Sequence, residues 1–187
     1  MTNQTQEQSQ NNIQTQKTFD NFKRIKEAEL SLEAFKSLAD GADWFMLLCY
    51  GTAGCGKTHL CEALAYSLCQ KGLFSRVIDW PSLIRNLKSS MSGEYRGLYD
   101  EVFKNYCRAE RLILDDVGMG GTGSNWEWGE FEEIICYRYK NELLTVVTTN
   151  MDIPQLPDRV VSRFRDKTKA RMVKNGADDY RPSLSAK

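Results

Sequence analysis

The sequence predicts a three-layer α/β protein, in which helices cover both faces of a five-stranded parallel sheet. Short apolar segments typical of buried strands alternate along the chain with longer segments of helical periodicity. A glycine-rich segment, residues 51–58, stands between the first predicted strand and a helix. The length of 187 residues suits one domain of ordinary size. Alternation of strand and helix indicates a parallel sheet covered on both sides.

Residues 1–17 differ in composition from the rest, because 13 of the 17 are Gln, Asn, Thr or Ser. Such a segment buries too little apolar area to offset the entropy of ordering it, so we expect a disordered arm. The folded domain is predicted to span 18–181, followed by a short tail, 182–187. Its first helix is predicted over 24–39, with Leu30 among the apolar residues.

The remaining elements follow from the apolar pattern. Strands are predicted over 44–50, 77–80, 112–114, 143–149 and 170–173. Helices are predicted over 57–71, from Ser82 to Met91, and over 98–109, 127–141 and 158–166. Ser82 fits the N-cap of its helix, since a hydroxyl can accept a bond from an unpaired backbone N–H. The unbroken apolar run 44–50 is the pattern of a strand buried on both faces.

The segment Gly51-Thr52-Ala53-Gly54-Cys55-Gly56-Lys57-Thr58 has the pattern G-x-x-x-x-G-K-T of a phosphate-binding loop, the P-loop or Walker A motif. Its place between a strand and a helix is the context that this motif requires. The glycines let the backbone curl so that its N–H groups and the helix N-terminus face the phosphates. Lys57 is expected to reach the β- and γ-phosphates of ATP, and Thr58 to ligate Mg²⁺.

Two carboxylates, Asp115 and Asp116, follow the third predicted strand. A buried strand that ends beside the P-loop would place Asp115 at the Mg²⁺ site, in the pattern called Walker B. The next carboxylate, Asp116, would then polarise the water that attacks the γ-phosphate. The two motifs together predict hydrolysis of ATP to ADP and phosphate.

Three further side chains are candidates for the same site. Asn150 ends the fourth strand, where it either bonds the γ-phosphate or the attacking water, or caps the turn before Pro154. Arg159 and Arg163 are four residues apart and share a helix face. They either pair with surface carboxylates or serve a phosphate, and an arginine delivered to a neighbouring subunit would make hydrolysis depend on assembly.

Composition excludes several classes of protein. The formal net charge is zero, so the whole molecule lacks the signature of polyanion binding, although residues 159–174 carry seven basic residues against Asp166 alone. The six cysteines form no C-x-x-C pair and only one histidine is available, which argues against zinc and predicts reduced core residues. No apolar run approaches the roughly 20 residues that cross a bilayer, and the polar N-terminus predicts a cytoplasmic protein without a signal peptide.

Taken together, these residues resemble the AAA+ ATPases of the DnaC/DnaI helicase-loader group, with the transposition helper IstB close behind. The resemblance covers about 18–181, and its motifs are Thr-Phe-Asp-Asn-Phe (18–22), Gly-Lys-Thr-His-Leu (56–60), Leu-Asp-Asp-Val-Gly (114–118), Thr-Thr-Asn (148–150), Asp-Arg-Val-Val-Ser-Arg-Phe-Arg (158–165) and Asp-Asp-Tyr-Arg (178–181).

The resemblance implies an ATP-dependent loader of a hexameric replicative helicase that binds single-stranded DNA and self-associates. Asn150 resembles the residue called sensor 1, Arg163 resembles the arginine finger, and Arg159 resembles a second, sensor-type arginine. His59 resembles a residue typical of the P-loop helix in this group. Asp116 stands where many related ATPases carry the longer glutamate, so we expect slow hydrolysis.

The chain departs from the group in one respect. Bacterial loaders carry a separate N-terminal domain that grips the helicase, whereas only the polar arm and one helix precede the first strand here. Little or no C-terminal lid is expected.

Candidates for contact with DNA are Lys88, Tyr95 and Arg96, with an ordinary solvated loop as the alternative. The alternatives in function are an IstB-like transposition helper and a non-hydrolysing adaptor.

Overall fold

The computed structural model describes residues 16–92, 97–120 and 123–180. Five parallel strands form one sheet in the order β2-β3-β4-β1-β5. In chain order the strands are β1 Met46–Tyr50, β2 Arg76–Asp79, β3 Arg111–Val117, β4 Leu144–Thr149 and β5 Ala170–Lys174. The predicted five-stranded parallel sheet is therefore confirmed; β4 is its central strand, and β1 lies between β4 and the edge strand β5.

Helices cover both faces of the sheet. They are α1 Glu29–Ala39, α2 Lys57–Gln70, α3 Trp80–Ser90, α4 Tyr99–Arg108, α5 Asn125–Lys140 and α6 Asp158–Phe164, with short 3-10 helices at Lys26–Ala28 and Ile153–Gln155. One core joins α1 and α2 to Leu47 and Cys49 of β1. The other core joins α3 to α6 to Met46 and Leu48. Successive residues of β1 thus enter opposite cores, as expected for a strand buried on both faces.

Several predicted boundaries are wrong. Trp80 begins α3 instead of ending β2, and the N-cap is Asp79, whose side chain accepts a hydrogen bond from the Ser82 N–H at 2.8 Å. The first helix begins at Glu29, and Leu30 is 72% exposed on its outer face. Cys69 is exposed, whereas the other five free cysteines are buried or half-buried.

The path after β5 bears directly on the site. From Lys174 the chain turns back, and residues 175–180 run across the P-loop; we call them the C-terminal strap. Within the described residues no helical lid follows β5. Most of the predicted arm and the whole predicted tail lie outside the described residues. No helix among those described is long and apolar enough to span a membrane.

Candidate nucleotide site

The P-loop connects β1 to α2 and depends on glycine at two positions. Gly56 precedes α2 with a φ of 92°, in the left-handed region that disfavours residues with a Cβ. At Gly54 an added Cβ would lie only 1.7 Å from the Asp179 carboxylate oxygen, so the strap passes directly against the loop. The loop therefore has the curled backbone that the motif predicts, followed by a helix N-terminus.

Lys57 turns its ammonium group back into the loop. Its Nζ donates to the carbonyl oxygens of Gly51 at 2.9 Å and Thr52 at 2.7 Å, and it lies 3.4 Å from the Cys55 Sγ. The residue is only 5% exposed. The ammonium is therefore held within the curled loop by hydrogen bonds to oxygen acceptors. Phosphate oxygens bound there would compete with the two carbonyl oxygens for the ammonium group.

Asn150 connects the P-loop lysine to the Walker B strand. Its Oδ1 accepts a hydrogen bond from the Lys57 Nζ at 2.6 Å, and its Nδ2 donates to the Asp116 Oδ1 at 2.6 Å. The turn that follows is capped by Asp152 instead, through a reciprocal capping box with Gln155. Of the two interpretations left open for Asn150, capping of that turn is therefore wrong.

Asp115 and Asp116 lie at a bulge in β3. The pairing of β3 with β4 shifts register between Leu114 and Val117, and Asp116 has a φ of 60°. The Thr148 hydroxyl donates to the Asp115 carboxylate and accepts from the Asp116 N–H at 3.0 Å. A bulge re-aims consecutive side chains. Here Asp115 is buried, while the carboxylate of Asp116 turns to Asn150.

The oxygen donors at this edge of the sheet are of the chemical type that Mg²⁺ prefers. The Thr58 hydroxyl lies in the first turn of α2, and the buried Asp115 carboxylate is at the end of β3. Mg²⁺ is usually held by one or two protein oxygens together with phosphates and waters. The described residues contain no group of three or more His, Cys, Asp or Glu that could hold a metal ion by itself.

Buried thiols lie beside these groups. The Cys61 Sγ lies 3.6 Å from the Asp115 Oδ1, and Cys49 belongs to β1. Burial raises the pKa of Cys49 to about 12 and raises the pKa of Cys61 well above its usual value. Both thiols are therefore neutral at physiological pH, and they add no negative charge near the phosphate-binding loop.

A cleft of about 540 Å³ opens beside the P-loop. Phe22, Ile25, Ala28 and Ala177 line it together with the half-buried Tyr180. His59 also borders the cleft, where its ring packs edge-on against Phe22 with centroids 5.2 Å apart and its Nε2 lies 2.9 Å from the Thr18 carbonyl oxygen. His59 thus ties the N-terminal segment to α2.

The other predicted site residues contact groups outside the cluster of Lys57, Asn150 and Asp116. Arg159 pairs with Glu132 at 3.4 Å, and the Arg163 guanidinium lies 5.0 Å from the centre of the Tyr139 ring. Lys88 pairs with the fully buried Glu127 at 2.7 Å, which gives it a structural role. Tyr95 and Arg96 lie outside the described residues.

Sequence reasoning missed Asn175 and the contact of the strap with the P-loop, although it noted Asp-Asp-Tyr-Arg (178–181) as a motif of the resemblance. The Asn175 Nδ2 donates to the Cys55 carbonyl oxygen at 3.0 Å, and its backbone N–H donates to the Tyr50 carbonyl oxygen at 2.8 Å. The Asn175-Gly176 pair signals a turn after the last strand. Nothing in that local signal indicates a loop 120 residues earlier as the partner.

A five-stranded parallel sheet, a P-loop after β1 and acidic residues at the end of β3 define a P-loop ATP-binding protein of the AAA+ type. The sequence model of the family described as IstB-like ATP binding protein matches residues 3–170. Because this match covers most of the chain, the protein belongs to that family.

Comparisons with individual proteins agree with this class. The chain is 28% identical over 170 residues to the chromosomal replication initiator protein DnaA of Herminiimonas arsenicoxydans, covering 87% of this chain and 36% of that protein. It thus spans about a third of such a relative.

Two solved structures share the fold. A crystal structure of the DnaC helicase loader superimposes with a TM-score of 0.72 at 24% identity, covering 85% of this chain and 96% of that one. Replication initiator DnaA bound to AMPPCP and single-stranded DNA superimposes with a TM-score of 0.73 at 23% identity, covering 88% of this chain and 51% of that one. The predicted resemblance to the helicase loaders is thereby confirmed at the level of fold.

Proposed function

We propose that this chain binds ATP·Mg²⁺, hydrolyses ATP slowly and uses that cycle in the cytoplasm to load a hexameric replicative helicase onto single-stranded DNA. The observation that carries the ATPase proposal is the chain of hydrogen bonds from Lys57 through Asn150 to Asp116. It connects the ammonium that would bind the terminal phosphates to the carboxylate that would activate water.

Each residue has a distinct task in this proposal. The P-loop amides and Lys57 bind the phosphates, and Asn150 orients the Asp116 carboxylate. Asp116 then accepts a proton from the attacking water. Thr58 and Asp115 would hold Mg²⁺, which neutralises charge on the phosphates when it is bound.

Slow hydrolysis follows from the short side chain of Asp116. It is one methylene shorter than glutamate and is already engaged with Asn150, so its reach toward a water is limited. We expect a turnover below about 10 s⁻¹, the median for enzymes. Phosphate release by the wild type, Lys57→Ala and Asp116→Asn tests this. The first substitution should abolish ATP binding, whereas the second should abolish hydrolysis and retain binding.

The proposed self-association depends on two arginines of α6. Arg159 is exposed and Arg163 is half-exposed on this helix, and in the single chain they contact Glu132 and Tyr139. We propose that Arg163 acts as the arginine finger for a neighbouring subunit and that Arg159 acts as a second phosphate sensor. Turnover per chain should then rise with protein concentration.

The proposed partners rest on the DnaC-like fold and on the DnaA-like sequence. Co-purification with a hexameric helicase, and anisotropy of a labelled single-stranded oligonucleotide with and without ATP, test both partners. Lys88 is already paired with Glu127, so Lys88→Ala should lower stability and is a poor test of DNA contact. If the chain bound neither the helicase nor single-stranded DNA, the proposal that it loads a helicase would be wrong. The proposal that it hydrolyses ATP would be unaffected.

A second candidate is an IstB-like transposition helper, favoured by the family to which the chain belongs. Capture of a transposase in place of a helicase, or stimulation of hydrolysis by target DNA, would select this function. A non-hydrolysing adaptor is the third possibility. It would be selected if no phosphate were released even with DNA at high protein concentration.

A further inference from the structure

The C-terminal strap, residues 175–180, is fixed to the P-loop at several points. Asn175 bonds the carbonyl oxygens of Tyr50 and Cys55 through its backbone and side-chain nitrogens. The Thr52 hydroxyl donates to the Ala177 carbonyl oxygen at 3.0 Å, and the Tyr180 N–H donates to the Gly54 carbonyl oxygen at 3.2 Å. The strap therefore runs along the loop from the end of β1 to Cys55.

The same strap also contacts the N-terminal segment. The Gly176 N–H donates to the Glu27 carbonyl oxygen at 3.0 Å. The Lys23 Nζ lies 4.2 Å from the centre of the Tyr180 ring, a distance typical of a cation–π contact. The strap thus bridges two parts of the chain and forms one wall of the cleft beside the P-loop.

The chemistry of this cleft suits an aromatic heterocycle. Its volume of about 540 Å³ lies within the usual range of ligand pockets, roughly 300–1,000 Å³. Phe22, Ile25 and Ala177 provide apolar walls, and Tyr180 adds a half-buried aromatic ring. Gly54, Cys55 and Gly56 of the P-loop also line the cleft, so a group bound there would be close to phosphates held by the loop.

We propose that the strap forms one wall of a site for the nucleoside and that the Tyr180 ring packs against the base of the bound nucleoside triphosphate. This inference rests on the proposed binding of ATP at the P-loop. Lys23 positions the Tyr180 ring, and Asn175 anchors the strap to the loop. Tyr180 is thereby a residue for binding the base, distinct from the groups that bind the phosphates.

The test compares ATP·Mg²⁺ with inorganic tripolyphosphate and Mg²⁺, which offers phosphates without a base. Isothermal titration would measure both ligands with the full chain as wild type, Tyr180→Ala and Tyr180→Phe. A base that stacks on an aromatic ring loses a substantial contact when the ring is removed, so Tyr180→Ala should weaken ATP binding by about 5-fold or more. Tripolyphosphate affinity should stay unchanged, and Tyr180→Phe should retain the affinity for ATP.

Two results would overturn the inference. Unchanged ATP affinity in Tyr180→Ala would show that the ring does not contact the base. Equal losses for both ligands would mean that the strap only supports the loop. A wild-type chain that binds neither ligand would remove the proposed function itself, and Lys57→Ala supplies the reference for that result. Circular dichroism of each variant would identify a folding defect, in which case Lys23→Ala, with the same ligand-selective loss expected, replaces Tyr180→Ala.

Discussion

The side-chain oxygen of Asn150 lies 2.6 Å from the Lys57 Nζ. On its other side the same amide donates to Asp116, so one residue at the end of β4 contacts both the P-loop and the Walker B bulge. Because its two amide atoms are a donor and an acceptor, asparagine suits a position between an ammonium and a carboxylate. A γ-phosphate that binds near Lys57 and moves its ammonium group would therefore also affect the position of the Asp116 carboxylate, because the Asn150 side chain contacts both groups.

Replacement of Asn150 by alanine should separate hydrolysis from binding. The loss of one oriented polar group in a reacting site typically costs about 100-fold or more in turnover. ATP affinity should change by less than about 10-fold, because Lys57 retains the carbonyl oxygens of Gly51 and Thr52. Single-turnover phosphate release and ATP titration measure the two effects. Turnover equal to that of the wild type would contradict the role assigned to Asn150.

Thr148 should matter both for stability and for the bulge. Its hydroxyl bonds the Asp115 carboxylate and the Asp116 N–H, and it is fully buried. Thr148→Val keeps the shape but removes this hydroxyl from both groups, at a cost of about 1–3 kcal/mol in the free energy of unfolding. Urea denaturation measures this cost. Thr148→Ser is the matched control, since it retains the hydroxyl and should lose much less.

Much of this fold could be predicted from sequence because its signals are local. The apolar run of β1 and the glycines of the P-loop fix that strand–loop–helix unit without reference to distant residues. The boundary at Trp80 was missed because an apolar residue after Val77-Ile78-Asp79 resembles a continued strand, whereas the Asp79 cap starts a helix. The contacts of Asn175 could not be predicted, since they depend on how β5 and β1 are paired in the sheet.

Arg138 should be a major determinant of stability. It is fully buried, and its guanidinium bonds the carbonyl oxygens of Tyr106, Cys107, Ala109 and Leu144 and the Thr145 hydroxyl. Burial lowers the pKa of this group to about 10, so it remains charged at neutral pH.

Arg138→Met should lower the free energy of unfolding by about 3–5 kcal/mol, because it leaves several buried acceptors unpaired. Thermal and urea denaturation check this expectation. Arg108→Met is the control, since Arg108 is exposed on α4 and should change stability by less than about 0.5 kcal/mol. Similar stabilities for the two variants would mean that water or neighbouring groups satisfy the acceptors.

The cysteines should differ in reactivity toward iodoacetamide. The thiolate is the reactive form, and burial raises the pKa values of Cys49 and Cys61, so both should be protected at pH 8 in the folded chain. Cys69 is exposed and should be labelled first. Mass spectrometry of peptides after timed labelling, with a urea-unfolded sample as reference, gives the order. Early labelling of Cys61 would contradict the closed packing beneath Asp115.

Arg163 offers a test of whether the site is shared between subunits. In the single chain its guanidinium lies over the Tyr139 ring and is half-exposed, which leaves it at the surface of α6. Arg163→Ala should retain ATP binding, because the P-loop is intact, but hydrolysis should fall by about 1,000-fold or more if the arginine serves a neighbour. Arg159→Ala is the neighbouring comparison on the same helix.

Mixing two defective chains makes this prediction sharper. Lys57→Ala cannot bind ATP but retains Arg163, whereas Arg163→Ala binds ATP but lacks the finger. If the arginine acts on a neighbouring subunit, a mixture of the two should regain part of the wild-type turnover, although neither chain is active alone. Restoration should grow with total protein concentration, since it requires association. A mixture that stays inactive while size-exclusion chromatography shows mixed assemblies would assign Arg163 to its own chain or to surface packing with Tyr139.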